Sequence, residues 1–130
     1  MRIADTSFLV GLIEDNDFHH EAALTLLEDV VAMNLGPVVV GEVVIRETLQ
    51  VMERRYGTPR SVAALALCRV CSTQPFRCDP AVLLALRATV DRPALGFVDA
   101  LIAEQSLLTD SRILTFDAKL LAHANRLYNR

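Results

Sequence analysis

The sequence predicts a three-layer α/β domain built on a parallel sheet. Strand and helix patterns alternate along the chain, and no repeat, low-complexity tract or linker interrupts them. Alternation of this kind gives parallel strands joined by helical crossovers. The 130 residues are 52% hydrophobic and 22% charged, which excludes disorder and allows one buried core. With 5% aromatics and no Trp, that core falls to Leu, Val, Ile and Ala. A single domain over residues 1–130 is expected.

Arg2-Ile3-Ala4 reads as a first short strand, followed by an apolar helix over 6–13. The acidic turn Glu14 to Asp17 stops that helix and offers Asp17 as a cap for the next, over 18–34. Gly36-Pro37 breaks the chain before a buried strand at Val38-Val39-Val40. A long helix follows over 42–56, with Gly57 as its stop, Thr58 as the next cap and Pro59 opening a helix that runs to 72. Gln74 to Cys78 reads as a third strand, and Asp79-Pro80 starts a helix to about 90. A further helix covers 97–108, Ser111 to Phe116 reads as a fourth strand, and Asp117 opens the last helix.

The net charge is −3, so the chain lacks the basic balance of an evident nucleic-acid binder. All but one of its basic residues are Arg, the better bidentate phosphate ligand; Lys119 is the exception. No apolar run approaches the roughly 18 residues of a membrane span. Asp5 interrupts the stretch that a signal peptide would keep apolar, and a cytoplasmic protein is expected. Cys68 and Cys71 share a helical face but lack the further ligands of a zinc site, so Cys68, Cys71 and Cys78 read as small buried residues in a reducing compartment. His19, His20 and His123 read as surface residues.

Acids placed in apolar surroundings are the informative feature. A carboxylate is costly to withdraw from water unless a cation or hydrogen-bond donors receive it. In helix 42–56, Val43, Val44, Val51 and Met52 form a stripe that includes Glu47; the alternative is a core-edge Glu paired with an Arg. Asp99 is the only polar residue between Ala94 and Ala103, in the first turn of its helix, where the dipole also favours an anion. Asp5 and Asp117 each follow a strand and precede a helix, the place where ligands gather in open α/β sheets and also where Asp caps helices. Ser7 and Thr115 flank these two acids and could orient a carboxylate or a metal-bound water. Asp79 is explained by its Asp-Pro cap, Asp110 by a turn, and Glu14, Asp15 and Asp17 by a solvated loop.

Ile3-Ala4-Asp5-Thr6-Ser7-Phe8-Leu9-Val10, Glu47 to Met52, Phe97 to Ala103 and Leu114-Thr115-Phe116-Asp117, in this order and spacing, resemble the PIN-domain ribonucleases, particularly VapC-type toxins of toxin–antitoxin pairs. The resemblance implies a sheet of four to five strands in the order 3-2-1-4-5, flanked by about seven helices. It places Asp5 and Asp117 where the strand order reverses, with Glu47 and Asp99 closing the pocket. Arg126-Leu127-Tyr128 is the one candidate for the fifth strand. It implies hydrolysis of RNA phosphodiester bonds, Asp5, Glu47, Asp99 and Asp117 holding Mg²⁺ or Mn²⁺, and products ending in 5′-phosphate and 3′-hydroxyl. It also implies a homodimer and a cognate antitoxin whose Arg reaches the acids.

Three other readings stay open at this stage. One is a non-catalytic PIN-like module that binds RNA or protein; another is an RNA-processing nuclease outside a toxin–antitoxin pair. The third, a phosphatase with Asp5 as nucleophile, wants a second acid close behind, and Asp5-Thr6-Ser7-Phe8 has none.

Overall fold

In the computed structural model, residues 1–129 are described, and Arg130 of the expected 1–130 domain lies outside them. Three short parallel strands, β1 (Arg2–Ile3), β2 (Val38–Val39) and β3 (Phe76–Arg77), stand in the order β1-β2-β3. Arg2 pairs with Val38 and Ile3 with Val39; Val38 pairs in turn with Phe76 and Val39 with Arg77. Backbone bonds from Ala4 N to Val39 O (3.0 Å) and Val40 N to Arg77 O (2.9 Å) carry the pairing to the carboxyl ends of the strands. Asp5 is the next residue after that edge.

The helices are α1 (Thr6–Ile13), α2 (His20–Ala32), α3 (Glu42–Tyr56), α4 (Arg60–Cys71), α5 (Pro80–Asp91), α6 (Phe97–Thr109) and α7 (Ala118–Tyr128). Some ends follow the expected signals, but the expected caps Asp17 and Thr58 do not start α2 and α4, which begin after His19 and Pro59 with no side-chain cap. Asp17 instead accepts from His19 N in the preceding turn, and Thr58 donates to Glu14. Gly57 takes the left-handed conformation (φ 65°) that closes α3, and Asp79 accepts from Ala81 N ahead of Pro80. The loop between α1 and α2 is tied to the end of α3: Tyr56 donates its hydroxyl proton to Asp17, and Thr58 to Glu14 at 2.7 Å.

The core joins Leu9 of α1, Val38 and Val40, Ile45, Leu49 and Met52 of α3, Leu67 of α4, Val82 and Leu86 of α5, and Phe97 and Leu101 of α6. A smaller cluster of Ala103, Leu120, Ala124 and Leu127 joins α6 to α7, with Ile113 packed against it. Cys68 and Cys71 are buried free thiols, as their helical spacing suggests.

Two expected strands are corrected. Residues 111–116 form no ladder, and Leu114 and Phe116 are fully exposed. Local backbone and side-chain bonds compete for this run. Ser111 N donates to Ser106 O at 2.9 Å, closing α6 behind a left-handed Asp110, while Thr115 Oγ1 accepts from Asp117 N at 2.9 Å and turns the chain into α7. The proposed fifth strand, Arg126-Leu127-Tyr128, is the last turn of α7, where Leu127 is buried against α6. The sheet therefore keeps the 3-2-1 part of the expected order, with β1 at an open edge and Ile3 exposed.

Leu67 is fully buried at the centre of the larger core. Leu67→Ala should lower the unfolding free energy in urea by about 2–5 kcal/mol; a loss below about 1 kcal/mol would contradict this placement of the core.

Candidate metal centre

Asp5 sits on the turn from β1 into α1. Its Oδ1 accepts from Phe8 N at 3.0 Å, capping α1, and from Ser7 Oγ at 2.9 Å. Those bonds, Phe8's amide first and Ser7's hydroxyl second, hold the carboxyl below the usual aspartate range. Phe8's amide and Ser7's hydroxyl thus fix the direction of Asp5 together. Oδ2 carries neither bond.

Glu47 is exposed, unlike its reading as part of a buried stripe. The buried face of α3 is Ile45, Thr48, Leu49 and Met52, at the i, i+3, i+4 and i+7 spacing of a helix side. Val43 is exposed and Val44 and Val51 are half-buried, because that neighbouring face lines an open cleft of about 440 Å³. Asp5, Ser7, His19, Glu47 and Arg55 share the cleft. Among the described residues Glu47 forms no ion pair, so the core-edge pairing with an Arg is not observed.

Asp99 is half-buried in the first turn of α6 and lines a second cavity, of about 290 Å³, with Arg46, Gln50, Glu53 and Arg60 of α3 and α4. Burial, and then the nearby charge of Asp117, push its carboxyl above the usual range. Asp117 caps α7, its Oδ1 accepting from Lys119 N at 2.9 Å and Leu120 N at 3.3 Å. Thr115 bonds the backbone of Asp117, not its carboxylate, and so shapes the turn.

The structure therefore brings the acids together in two pairs: Asp5 and Glu47 along one cleft, Asp99 and Asp117 within electrostatic reach of each other. Among the described residues, no three of His, Cys, Asp and Glu converge closely enough to form one coordination cluster. The donor chemistry still fits a hard divalent cation, because every candidate ligand is a carboxylate oxygen. The raised Asp99 adds a like-charge contact that a cation would relieve.

Sequence reasoning missed two groups. Glu104 of α6 and His123 of α7 are buried, and both line a cavity with Arg87, Arg92 and Arg126. His123 is thus not the surface residue expected. Glu104 lies seven residues after Phe97, and His123 three after Leu120, spacings that put each on an apolar helix face.

A PIN domain family model matches residues 2–126. The chain belongs to the PIN domain family. Among solved structures, this PIN domain is similar to Mycobacterium tuberculosis VapC20, described as a Sarcin-Ricin loop cleaving toxin, with 21% identity, 95% of each chain covered and a TM-score of 0.45. No curated protein sequence matches it.

The raised Asp99 carboxyl gives a signed expectation for this PIN domain. The folded protein holds that proton more tightly than the unfolded chain, so stability falls as pH rises through the window from the ordinary aspartate value to the raised one. Asp99→Asn should therefore raise the melting temperature of metal-free protein at neutral pH, with the gain vanishing below that window. A variant less stable than wild type at pH 7 would contradict the assignment.

Proposed function

We propose that this PIN domain is a metal-dependent endoribonuclease that hydrolyses RNA phosphodiester bonds, and that it is the toxin of a type II toxin–antitoxin pair. The observation that carries the reading is the half-buried Asp99, its carboxyl pushed up beside Asp117, in a chain whose PIN match spans residues 2–126. Asp5, Glu47, Asp99 and Asp117 would hold Mg²⁺ or Mn²⁺. When bound, such an ion polarises the phosphodiester, acidifies a water and offsets developing charge.

The chain's own residues prepare for that role. Ser7 orients Asp5, and the cap bond from Phe8 N extends its ionised form to more acid pH. The backbone amides of Lys119 and Leu120 do the same for the direction of Asp117. Glu47, exposed and without an ion pair among the described residues, would complete the set formed by the other acids. The products would end in 5′-phosphate and 3′-hydroxyl. A single domain, a homodimeric assembly, a cognate antitoxin covering the acids and a cytoplasmic location complete the reading; among the described residues no helix is long and apolar enough to cross a membrane.

A second reading, a non-catalytic RNA- or protein-binding module, is favoured by the capping roles of Asp5 and Asp117, which give both acids a structural use. Incubation of partner-free protein with long mixed-sequence RNA, with Mn²⁺ or with EDTA, separates the two. The nuclease reading expects discrete fragments bearing 5′-phosphates with Mn²⁺ only, and Asp99→Asn slower by about a hundredfold or more, the equivalent of several kcal/mol. Intact RNA throughout, with folded protein that still binds it, would favour the module.

A further inference from the structure

We propose that the cavity between α3 and the start of α6 is a subsite for an RNA backbone phosphate, gripped by Arg46 with help from Gln50. The proposal rests on the ribonuclease reading above and extends it to how substrate is held.

Two arginines line this cavity of about 290 Å³, and their circumstances differ. Arg60 is already paired: Nε donates to Glu53 Oε1 at 2.8 Å, and Nη1 to Pro93 O at 2.6 Å. Those bonds tie α4 to α3 and to the loop before α6, and they neutralise Glu53. Arg46 is exposed and, among the described residues, enters no ion pair or hydrogen bond, although Asp99 lines the same cavity. Its guanidinium is therefore available to an incoming anion.

Helix geometry completes the site. Arg46 and Gln50 are four apart on α3, so their side chains stack on one face toward the cavity. A guanidinium fork beside a carboxamide NH₂ presents donors that match two phosphate oxygens. Glu47, one residue from Arg46, opens instead on the cleft that holds Asp5. Helix α3 is thus a wall shared by both hollows: it gives Arg46 and the Arg60-paired Glu53 to one, and Glu47 and Arg55 to the other. A phosphate seated on Arg46 would place the strand beside Asp99 and offset the repulsion between RNA and the acids.

The test is anisotropy of a labelled, mixed-sequence single-stranded RNA, titrated with salt in EDTA so that no metal-dependent cutting occurs. Arg46→Ala should bind about fivefold or more weakly, and its log–log salt slope should be smaller by about 0.7, one phosphate contact. Arg46→Lys should restore the slope with part of the affinity, since an ammonium keeps the charge but loses the fork. An unchanged slope in Arg46→Ala, with an unchanged melting curve, overturns the subsite. So does undetectable binding by wild type at low salt. Displacement of RNA by millimolar inorganic phosphate at matched ionic strength would make this a free-phosphate site and also overturn the proposal. The metal-dependent cleavage assay remains independent of these outcomes, so loss of the subsite and loss of the nuclease reading are separable.

Discussion

Helix capping by carboxylates is the interaction on which this structure turns. Asp5 must start α1 and Asp117 must start α7, and each does so through Oδ1. Capping and metal binding look like rival explanations for an acid after a strand or turn. Here they are compatible, because a cap fixes one oxygen, sets the direction of the group and leaves the other oxygen without those bonds. The free energy of a cap, about 1 kcal/mol, keeps such an acid in place whether or not a cation is present.

The two acid pairs carry different electrostatics. Asp5 is stabilised in its charged form by an amide and a hydroxyl, so its contribution to stability is present above the ordinary aspartate range and is lost as pH falls through its lowered value. Asp99 is the opposite case, penalised by burial and by Asp117. One carboxylate is settled and the other is strained by charge. A protein selected only for stability would place an Asn or an apolar residue at position 99, since the surrounding sequence from Ala94 to Ala103 is otherwise apolar. The charge at Asp99 is therefore a cost to the fold that a bound cation would offset.

Much of this was legible in the chain. Alternating apolar runs, Gly57 and Asp79-Pro80 marked the helices and three strands, because those signals act within a few residues. Residues 111–116 misled, since Ile113, Leu114 and Phe116 have strand composition while Ser111 and Thr115 bond to local backbone and divert the run into two helix ends. The same kind of error affected Glu47. Val43, Val44 and Val51 suggested a buried stripe, but the face that packs is Ile45, Thr48, Leu49 and Met52, with Thr48 masked as polar because its hydroxyl is satisfied by Val44 O at 2.7 Å. His123 was read as exposed although its spacing from Leu120 and Leu127 puts it on the face that α7 buries. Asp99 was singled out by its apolar context and Asp5 and Asp117 by their place before helices; how closely the acids approach depends on tertiary placement, which periodicity does not encode.

The central proposal is that acids from both pairs take part in holding a divalent cation. Mn²⁺ titration by calorimetry on partner-free wild type, Asp5→Asn and Asp99→Asn tests it directly, because the two residues belong to different pairs. The account predicts saturable binding by wild type that either single change abolishes. Binding that survives in both variants, or a folded wild type that takes up no Mn²⁺, would contradict it.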